Sequence, residues 1–418
     1  MIRAFIMRFG LDMLSRFILL GLNILIARKL LVSDFGLLTY AMVLANLFYV
    51  FTEMGANTYL LKKAGEKPEN IESYWNQGIS LKFLMSIAVL LLSVLLLPAL
   101  WPWKYPVILL AMVGWMIGNS FVDFYQLFCN ATHDFKSAAN VILSSRFLMI
   151  AGMVFLFIAG KVNLLNVTMV YFSGSLIGAL AAGMIFMKTK GIKFAPAGIG
   201  EIKDLFRIAL PFGVANIFGI IYLRTDSIFL TWLTGTEQTG IYGAAFRIFE
   251  MVYAVPAALM LVTTPLLLRA KEQGYAHFIA RIKRIAVFAF ALAAAWMTAG
   301  FFFSGPIINF LYGERYMTAA PVLSILALAN GAAFFSHIAI YLMVVLEKQK
   351  RHALNQLIAL ILNILLTITF IYKWGTPGAA AAVLATQLII IALCVLPLIK
   401  AIKTYETYMR SDASHVSG

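Results

Sequence analysis

The chain has 418 residues, 62% of them hydrophobic and 12% charged, with a mean hydropathy of +0.89. A soluble globular protein is nearer half apolar and about one quarter charged, so this composition excludes one. The 33 Lys and Arg against 18 Asp and Glu leave +15; in an apolar chain that excess holds loops on the cytoplasmic side rather than binding nucleic acid.

Taken in chain order, the apolar segments run 9–31, 37–61, 77–98, 105–128, 139–160, 166–187, 206–233, 240–268, 282–304, 318–346, 351–373 and 376–400. Each has about 20 residues or more, enough to cross a hydrocarbon core of ~30 Å at ~1.5 Å per residue. The first, within "MIRAFIMRFGLDMLSRFILLGLNILIARKLL", is interrupted by Asp12 and Arg16 and followed by no small-residue cleavage site, so it reads as a retained helix. An even count puts both termini on one side. With that side cytoplasmic, the inner segments hold 22 Lys and Arg and the outer ones 6, alternating loop by loop. That is the pattern of a polytopic protein with both ends inside.

The connections are short; the longest, near 62–76, 188–205 and 269–281, are basic. None could form a soluble catalytic domain, which would need roughly 50 residues. The chain has no GxxxxGK[ST], HExxH or GxSxG motif, and its two cysteines, Cys129 and Cys394, stand far apart in apolar surroundings. The expectation is therefore no catalytic residue, no metal and no cofactor.

A weak internal repeat is visible. A shift of 204 lays Gly36 on Gly240, Leu37 on Ile241 and Tyr49 on Tyr253, and a shift of 215 lays Lys136 on Arg351, Ala138 on Ala353 and Asn140 on Asn355. Six spans per half gives the halves a common orientation, a parallel repeat. The expected fold is thus an all-α integral membrane protein of twelve transmembrane helices in two six-helix bundles. Residues 1–190 form the first bundle, 191–205 a cytoplasmic linker, 206–400 the second bundle and 401–418 a cytoplasmic tail.

Charges at membrane depth cost about 2.5–3.5 kcal/mol each, so they face a cavity or a partner. The cations are Arg16, Lys82, Arg146, Arg224 and Arg247; the main acids are Asp12, Glu53, Asp123, Asp226 and Glu250. Asp12 with Arg16, and Arg247 with Glu250, have the i, i+4 and i, i+3 spacing of pairs that neutralise each other. Lys82 is near enough to a span end to snorkel into the interface. Arg224 and Asp226 are two residues apart and do not face each other on one helix. Within the eighth segment, 240–268, Gly240, Gly243, Arg247, Glu250, Ala254 and Ala257 make one narrow stripe of small and polar residues. Arginine stays charged at any working pH and its planar fork matches phosphate oxygens, which points to an anionic, phosphate-bearing cargo.

The stretches "ARKLLVSDFGLLTYAM", "LPFGVANIFGIIYLRTDSIFL" with "TGIYGAAFRIFE", "FLYGERYMTAAPVLSILAL" and "GTPGAAAAVLATQ" together resemble polysaccharide-biosynthesis flippases of the O-antigen (Wzx) type. These are members of the multidrug/oligosaccharidyl-lipid/polysaccharide exporter superfamily, and the resemblance covers nearly the whole chain. It implies a MATE-like pair of bundles around a central cavity and alternating access across the bacterial inner membrane. The implied cargo is an oligosaccharide on undecaprenyl pyrophosphate, moved by a Na⁺ or H⁺ gradient. Arg16, Arg146, Arg224 and Arg247 would then meet the headgroup, and Asp12, Glu53, Asp226 and Glu250 are the ion-coupling candidates. Membrane lipids and other polysaccharide assembly proteins are the expected partners. Two alternatives stand beside this reading: a drug or metabolite exporter of the same superfamily, which would favour acids in its cavity, and a glycan polymerase or ligase, which would need a large periplasmic loop.

Overall fold

The computed structural model describes residues 17–101, 105–132 and 134–416, and these fold as helices joined by short turns, with no strand among them. In chain order the helices are α1 (17–29), α2 (Val32–Glu53), α3 (Ala56–Glu66), α4 (Ile71–Leu100), α5 (Val107–Ala131), α6 (Phe135–Ile158), α7 (Leu164–Lys190) and α8 (Ile199–Thr234). They continue as α9 (Thr236–Glu272), α10 (Tyr275–Phe302), α11 (Ser304–Tyr312), α12 (Ala320–Val345), α13 (Gln349–Trp374) and α14 (Thr376–Val416). Among the described residues, ten helical stretches are long and apolar enough to cross a membrane. They coincide with ten of the segments read from the sequence; the first and seventh segments coincide with α1 and α8. The protein is an all-helical, multi-pass membrane protein. It divides into two compact units, Met1–Arg224 and Thr225–Gly418, the division falling inside the α8 sequence.

In the first unit α5 is the central post, packed by α2, α3, α4, α6 and α7. Its buried face carries Phe121, Phe124, Tyr125 and Phe128, which close around Trp75 of α4 and Phe186 of α7; the Trp75 and Phe186 rings stack at 4.6 Å between centroids. The start of α8 joins the same core through Leu205 and Ala209. On α7, Gly174 and Gly178 form a GxxxG pair lying on the backbone of α6. A Cβ at either would meet the Cα of Met149 at 2.9 Å or of Ser145 at 2.7 Å. Lipid tails give no hydrophobic drive between helices, so this close approach of backbones supplies the packing instead.

Residues 193–197, drawn from the sequence as linker, run alongside α4. The N–H groups of Lys193, Ala195 and Ala197 donate to Glu72 Oε1, Asn76 Oδ1 and Ser80 Oγ at 3.3, 3.0 and 3.0 Å. The match follows from geometry: two extended residues advance ~6.7 Å and four helical residues ~6 Å, so alternate amides meet every fourth side chain. The segment is strapped to the first unit.

In the second unit α12 is the post, packed by α9, α10, α13 and α14. Residues 401–416, set apart in the sequence as a tail, continue α14 as helix. Tyr405 explains the continuation, because its hydroxyl donates to the Lys271 carbonyl at the end of α9 and its ring packs on Phe278 and Tyr275.

One expected span is corrected. Segment 37–61 is not a single helix but α2 and α3, broken at Met54 and Gly55, with φ of 41° and 78°. The cause is contact with α8. A Cβ on Gly55 would lie 2.4 Å from Gly213 N and 2.5 Å from Ala209 O, so only glycine admits both the left-handed backbone and the neighbour. Gly65, in the last turn of α3, has nothing within 4 Å of its ideal Cβ. Gly55→Ala is therefore expected to destabilise by roughly 2 kcal/mol or more, whereas Gly65→Ala should stabilise by about 0.5–1 kcal/mol. Thermal denaturation in detergent, followed by loss of monodisperse protein, reads both signs.

Outside the spans, Asp134 caps α6 by accepting from Ser137 N–H at 3.1 Å and pairs with Lys190 at 2.8 Å. The Lys190 hydrogen bond, with help from Ser137, lowers its pKa from 3.8 to about 2. A depressed carboxyl contributes stability above its unfolded value and loses it as the pH falls through the folded one. Asp134→Ala should thus lower stability near neutral pH, by roughly 1 kcal/mol for the cap, seen as a lower melting temperature, and match wild type once the pH is brought below about 2.

Candidate functional site

Polar groups inside the spans meet one another in both units. In the first unit, Tyr49 and Glu53 stand one turn apart on α2, and Asp123 projects from α5. The Tyr49 hydroxyl lies 2.8 Å from Glu53 Oε1 and 2.6 Å from Asp123 Oδ2. Asn57, just past the Gly55 break, donates its amide to the same Glu53 oxygen. Lys82 of α4 completes the group: its Nζ is 3.8 Å from Glu53 Oε1 and sits above the rings of Phe121 and Phe124 at 5.9 and 5.7 Å. The break between α2 and α3 matters here, because it brings Asn57 back toward the carboxylate that ends α2.

This arrangement corrects the snorkelling expectation for Lys82. The side chain is only 3% exposed and its Nζ has no hydrogen-bond partner; an ion pair beyond hydrogen-bond length and two aromatic faces are its surroundings. An ammonium so enclosed is held by Glu53 and by ring quadrupoles, not by interfacial water.

Arg146, on α6, donates to Asn119 Oδ1 of α5 at 3.4 Å, while its Nε is buried with no hydrogen-bond partner. Asn119 and Asp123 are one turn apart on α5, and the charges of Asp123 and Arg146 are near enough to interact without an ion pair closing between them. The first unit thus brings together two of the expected site residues, Glu53 and Arg146, through groups given no site role in the sequence: Tyr49, Asn57, Lys82, Asn119 and Asp123. Arg224 ends this unit half-buried on α8. Asp12 and Arg16 lie outside the described residues.

In the second unit Asp226 is 3% exposed; its Oδ1 accepts from Ser227 N–H at 2.7 Å and its other oxygen from the Tyr242 hydroxyl of α9. Arg247 and Glu250 pair along α9 at 3.4 Å, the mutual neutralisation that their spacing allowed. Further along, the cluster is neutral. Ser336 donates to Gln387 Oε1 at 2.7 Å, Gln387 reaches the Tyr253 hydroxyl at 3.5 Å, and Asn363 donates to Thr386 at 3.0 Å. Among the described residues no three His, Cys, Asp or Glu side chains come together as a metal site.

Breaking a buried ion pair from one side is strongly destabilising, because it leaves the other charge alone. Lys82→Met or Glu53→Gln alone should each cost on the order of 3 kcal/mol, and the double variant should recover most of that loss. Thermal denaturation of the four proteins in one lipid or detergent measures the coupling; additive losses would show that the two charges are held independently.

Comparison with known proteins adds to this geometry. The sequence pattern of the family described as polysaccharide biosynthesis protein matches residues 2–271. The chain is 25% identical over 349 residues to the EPS I polysaccharide export inner membrane protein EpsE of Ralstonia nicotianae, covering 78% of this chain and 77% of EpsE. Among solved structures, the inward closed conformation of the lipid II flippase MurJ matches with a TM-score of 0.72 at 16% identity, covering 96% of this chain and 90% of that one. An inward-facing multidrug resistance MATE transporter of the MOP superfamily matches with a TM-score of 0.74 at 12% identity, covering 93% and 94%. The last two establish the fold, MATE-like as the resemblance implied. The three are described as an export protein, a flippase and a transporter, and none as an enzyme.

Proposed function

Since the chain belongs to the polysaccharide biosynthesis protein family, we propose that it flips a lipid-linked oligosaccharide, such as an O-antigen unit on undecaprenyl pyrophosphate, across the bacterial inner membrane. The cycle is alternating access by two bundles of six spans, with both termini cytoplasmic and a Na⁺ or H⁺ gradient as the drive. Arg16, Arg146, Arg224 and Arg247 receive the anionic headgroup, and one of Asp12, Glu53, Asp226 or Glu250 takes the coupling ion. Membrane lipids surround the polyprenyl tail, and other polysaccharide assembly proteins supply and accept the cargo.

The observation that carries this reading is Arg146. Its guanidinium sits at span depth with Nε buried and unpartnered, held on one side by a single long hydrogen bond. A permanent cation with an idle donor inside the bilayer is costly unless an anion visits it. A pyrophosphate supplies charge and acceptors together, and a planar fork matches its oxygens. A cationic drug would be repelled by the same group.

The test is transport in liposomes with a fluorescent undecaprenyl-pyrophosphate oligosaccharide, scored by its movement between leaflets. Wild type should accelerate crossing, and an imposed ion gradient should change the rate for the coupling ion only. Losing one charged contact to the headgroup costs about 2–5 kcal/mol, so Arg146→Ala should slow crossing by roughly 30-fold or more. The same holds for Arg224→Ala combined with Arg247→Ala. Wild-type rates in a well-folded Arg146→Ala protein would refute the assignment.

A further inference from the structure

The unburied face of α5 has a composition that lipid would not select. From Gly118 to Asn130 every residue of this helix is buried except Asn119, Asp123, Gln126 and Asn130, and all four are polar. At ~100° per residue they fall within roughly 60° of one another, a single stripe. On the other spans of the same unit the exposed side chains include Leu91 and Leu95 of α4, Phe147 and Phe155 of α6, and Leu180 and Met184 of α7, as a surface against acyl chains requires. The α5 stripe is therefore turned to water, not to lipid. α2 adds a second stripe, Asn46, Tyr49 and Glu53, each partly exposed. One span, α4, lies between α2 and α5 in sequence, so the two run parallel, and the contact of Tyr49 with Asp123, 74 positions on, sets their register. That register levels Asn46 with Ser120, next to Asn119, and Glu53 with Leu127, next to Gln126.

The two stripes hold hydrogen-bonding capacity that the protein does not use. Among the described residues the side-chain amides of Gln126 and Asn130 have no hydrogen-bond partner. Asn46 donates to the Met42 carbonyl at 2.8 Å, and its own oxygen accepts from no described residue. Asn119 receives Arg146 at 3.4 Å, while its amide meets only Met116 Sδ at 3.9 Å. A neutral amide presents donor and acceptor side by side, which matches a hydroxyl and exerts little pull on a charged phosphate. Trp115, one turn before Asn119 on the same face of α5, is also partly exposed, and an indole face suits the C–H face of a sugar ring. We propose that the paired stripes of α2 and α5 are a glycan track, in which Asn46, Asn119 and Gln126 hydrogen-bond the hydroxyl groups of the cargo's sugars. This rests on the flippase reading and assigns the part of the cargo that the arginines leave over: Arg146 takes the pyrophosphate, and the amides beside it read the sugars that follow. A site built to hydrogen-bond a hydroxyl discriminates against a cargo lacking one, because its own groups are then left unpaired. The track is thus where this chain distinguishes one glycan from another.

Binding to the full chain in nanodiscs separates this from the reading beneath it. Two probes are titrated: undecaprenyl pyrophosphate without sugar, and the undecaprenyl-pyrophosphate oligosaccharides extracted from the cells that make the protein. Wild type should bind the sugar-bearing lipid more tightly than the bare one. Asn46→Leu combined with Gln126→Met should weaken the sugar-bearing lipid by roughly tenfold or more and leave the bare lipid as in wild type. Asn119 is kept in this variant because it holds Arg146. Unchanged affinity for the bare lipid also shows that the variant is folded; should the pair fail to fold, Gln126→Met alone, at a position with no partner to lose, should give the same selective loss at several-fold. Wild-type affinity of the variant for the sugar-bearing lipid would overturn the track and make the stripe a solvated lining only. So would an equal loss for both lipids, which would place these amides with the pyrophosphate or the fold, and so would a wild type indifferent to the sugars. Binding of neither lipid by wild type would instead overturn the flippase reading on which the track rests.

Discussion

A charge taken into a bilayer must be answered there, and this constraint orders the first unit of the protein. Lys82 is enclosed almost completely, so Glu53 and two aromatic faces have to stand where they do. Glu53 in turn fixes Asn57, which reaches it only because α2 ends and α3 begins between them. The break needs a left-handed glycine, and that glycine is pressed against the backbone of α8 at Ala209 and Gly213. A chain of requirements thus runs from one ammonium, through a carboxylate and an amide, to the seating of a whole helix.

Most of the helical plan was legible because it depends on length and apolarity alone. Ten drawn spans meet ten helices, since no other regular structure satisfies backbone groups in lipid within a single segment. What escaped the sequence was backbone geometry set by neighbours. Nothing local in "FTEMGANTYLLKKAGE" separates Gly55 from Gly65; only the approach of α8, some 150 residues on, makes one indispensable and leaves the other free to change. The extension of α14 past 400 escaped for a similar reason, as it depends on Tyr405 finding the end of α9.

The site divides along the same line. Arg247 with Glu250 could be read from spacing, because i, i+3 neighbours meet on any helix. Tyr49 with Asp123 are 74 positions apart, and no periodicity joins them. Lys82 was misjudged because its position near a span end permits snorkelling, while the aromatic face of α5 that closes over it comes from another helix. A signal was present all the same: Tyr49, Glu53 and Asn57 fall at i, i+4 and i+8 in an otherwise apolar run. Their joint appearance on one face marks a buried polar partner on another helix, and Lys82 and Asp123 were the charges without one.

The two clusters differ in kind, and the difference bears on where an anion gains its binding energy. The shift that lays Tyr49 on Tyr253 lays Glu53 on Ala257, so the hydroxyl recurs and the acid beside it does not. Around Tyr253 the partners are Gln387 and Ser336, neutral groups that satisfy one another. Amides and hydroxyls can hold a packing geometry or meet sugar hydroxyls, but they exert little pull on a charged phosphate. Around Tyr49 the partners are ionic, and the nearby Arg146 keeps a donor in reserve. In the second unit Arg247 is already in contact with Glu250, so an anion arriving there must first compete with a carboxylate on the same helix. In the first unit, by contrast, the Asp123 carboxyl stands on a different helix from Arg146 and accepts from a tyrosine. An arginine whose neighbouring carboxyl is engaged by a tyrosine is more open to an arriving anion than one paired along its own helix.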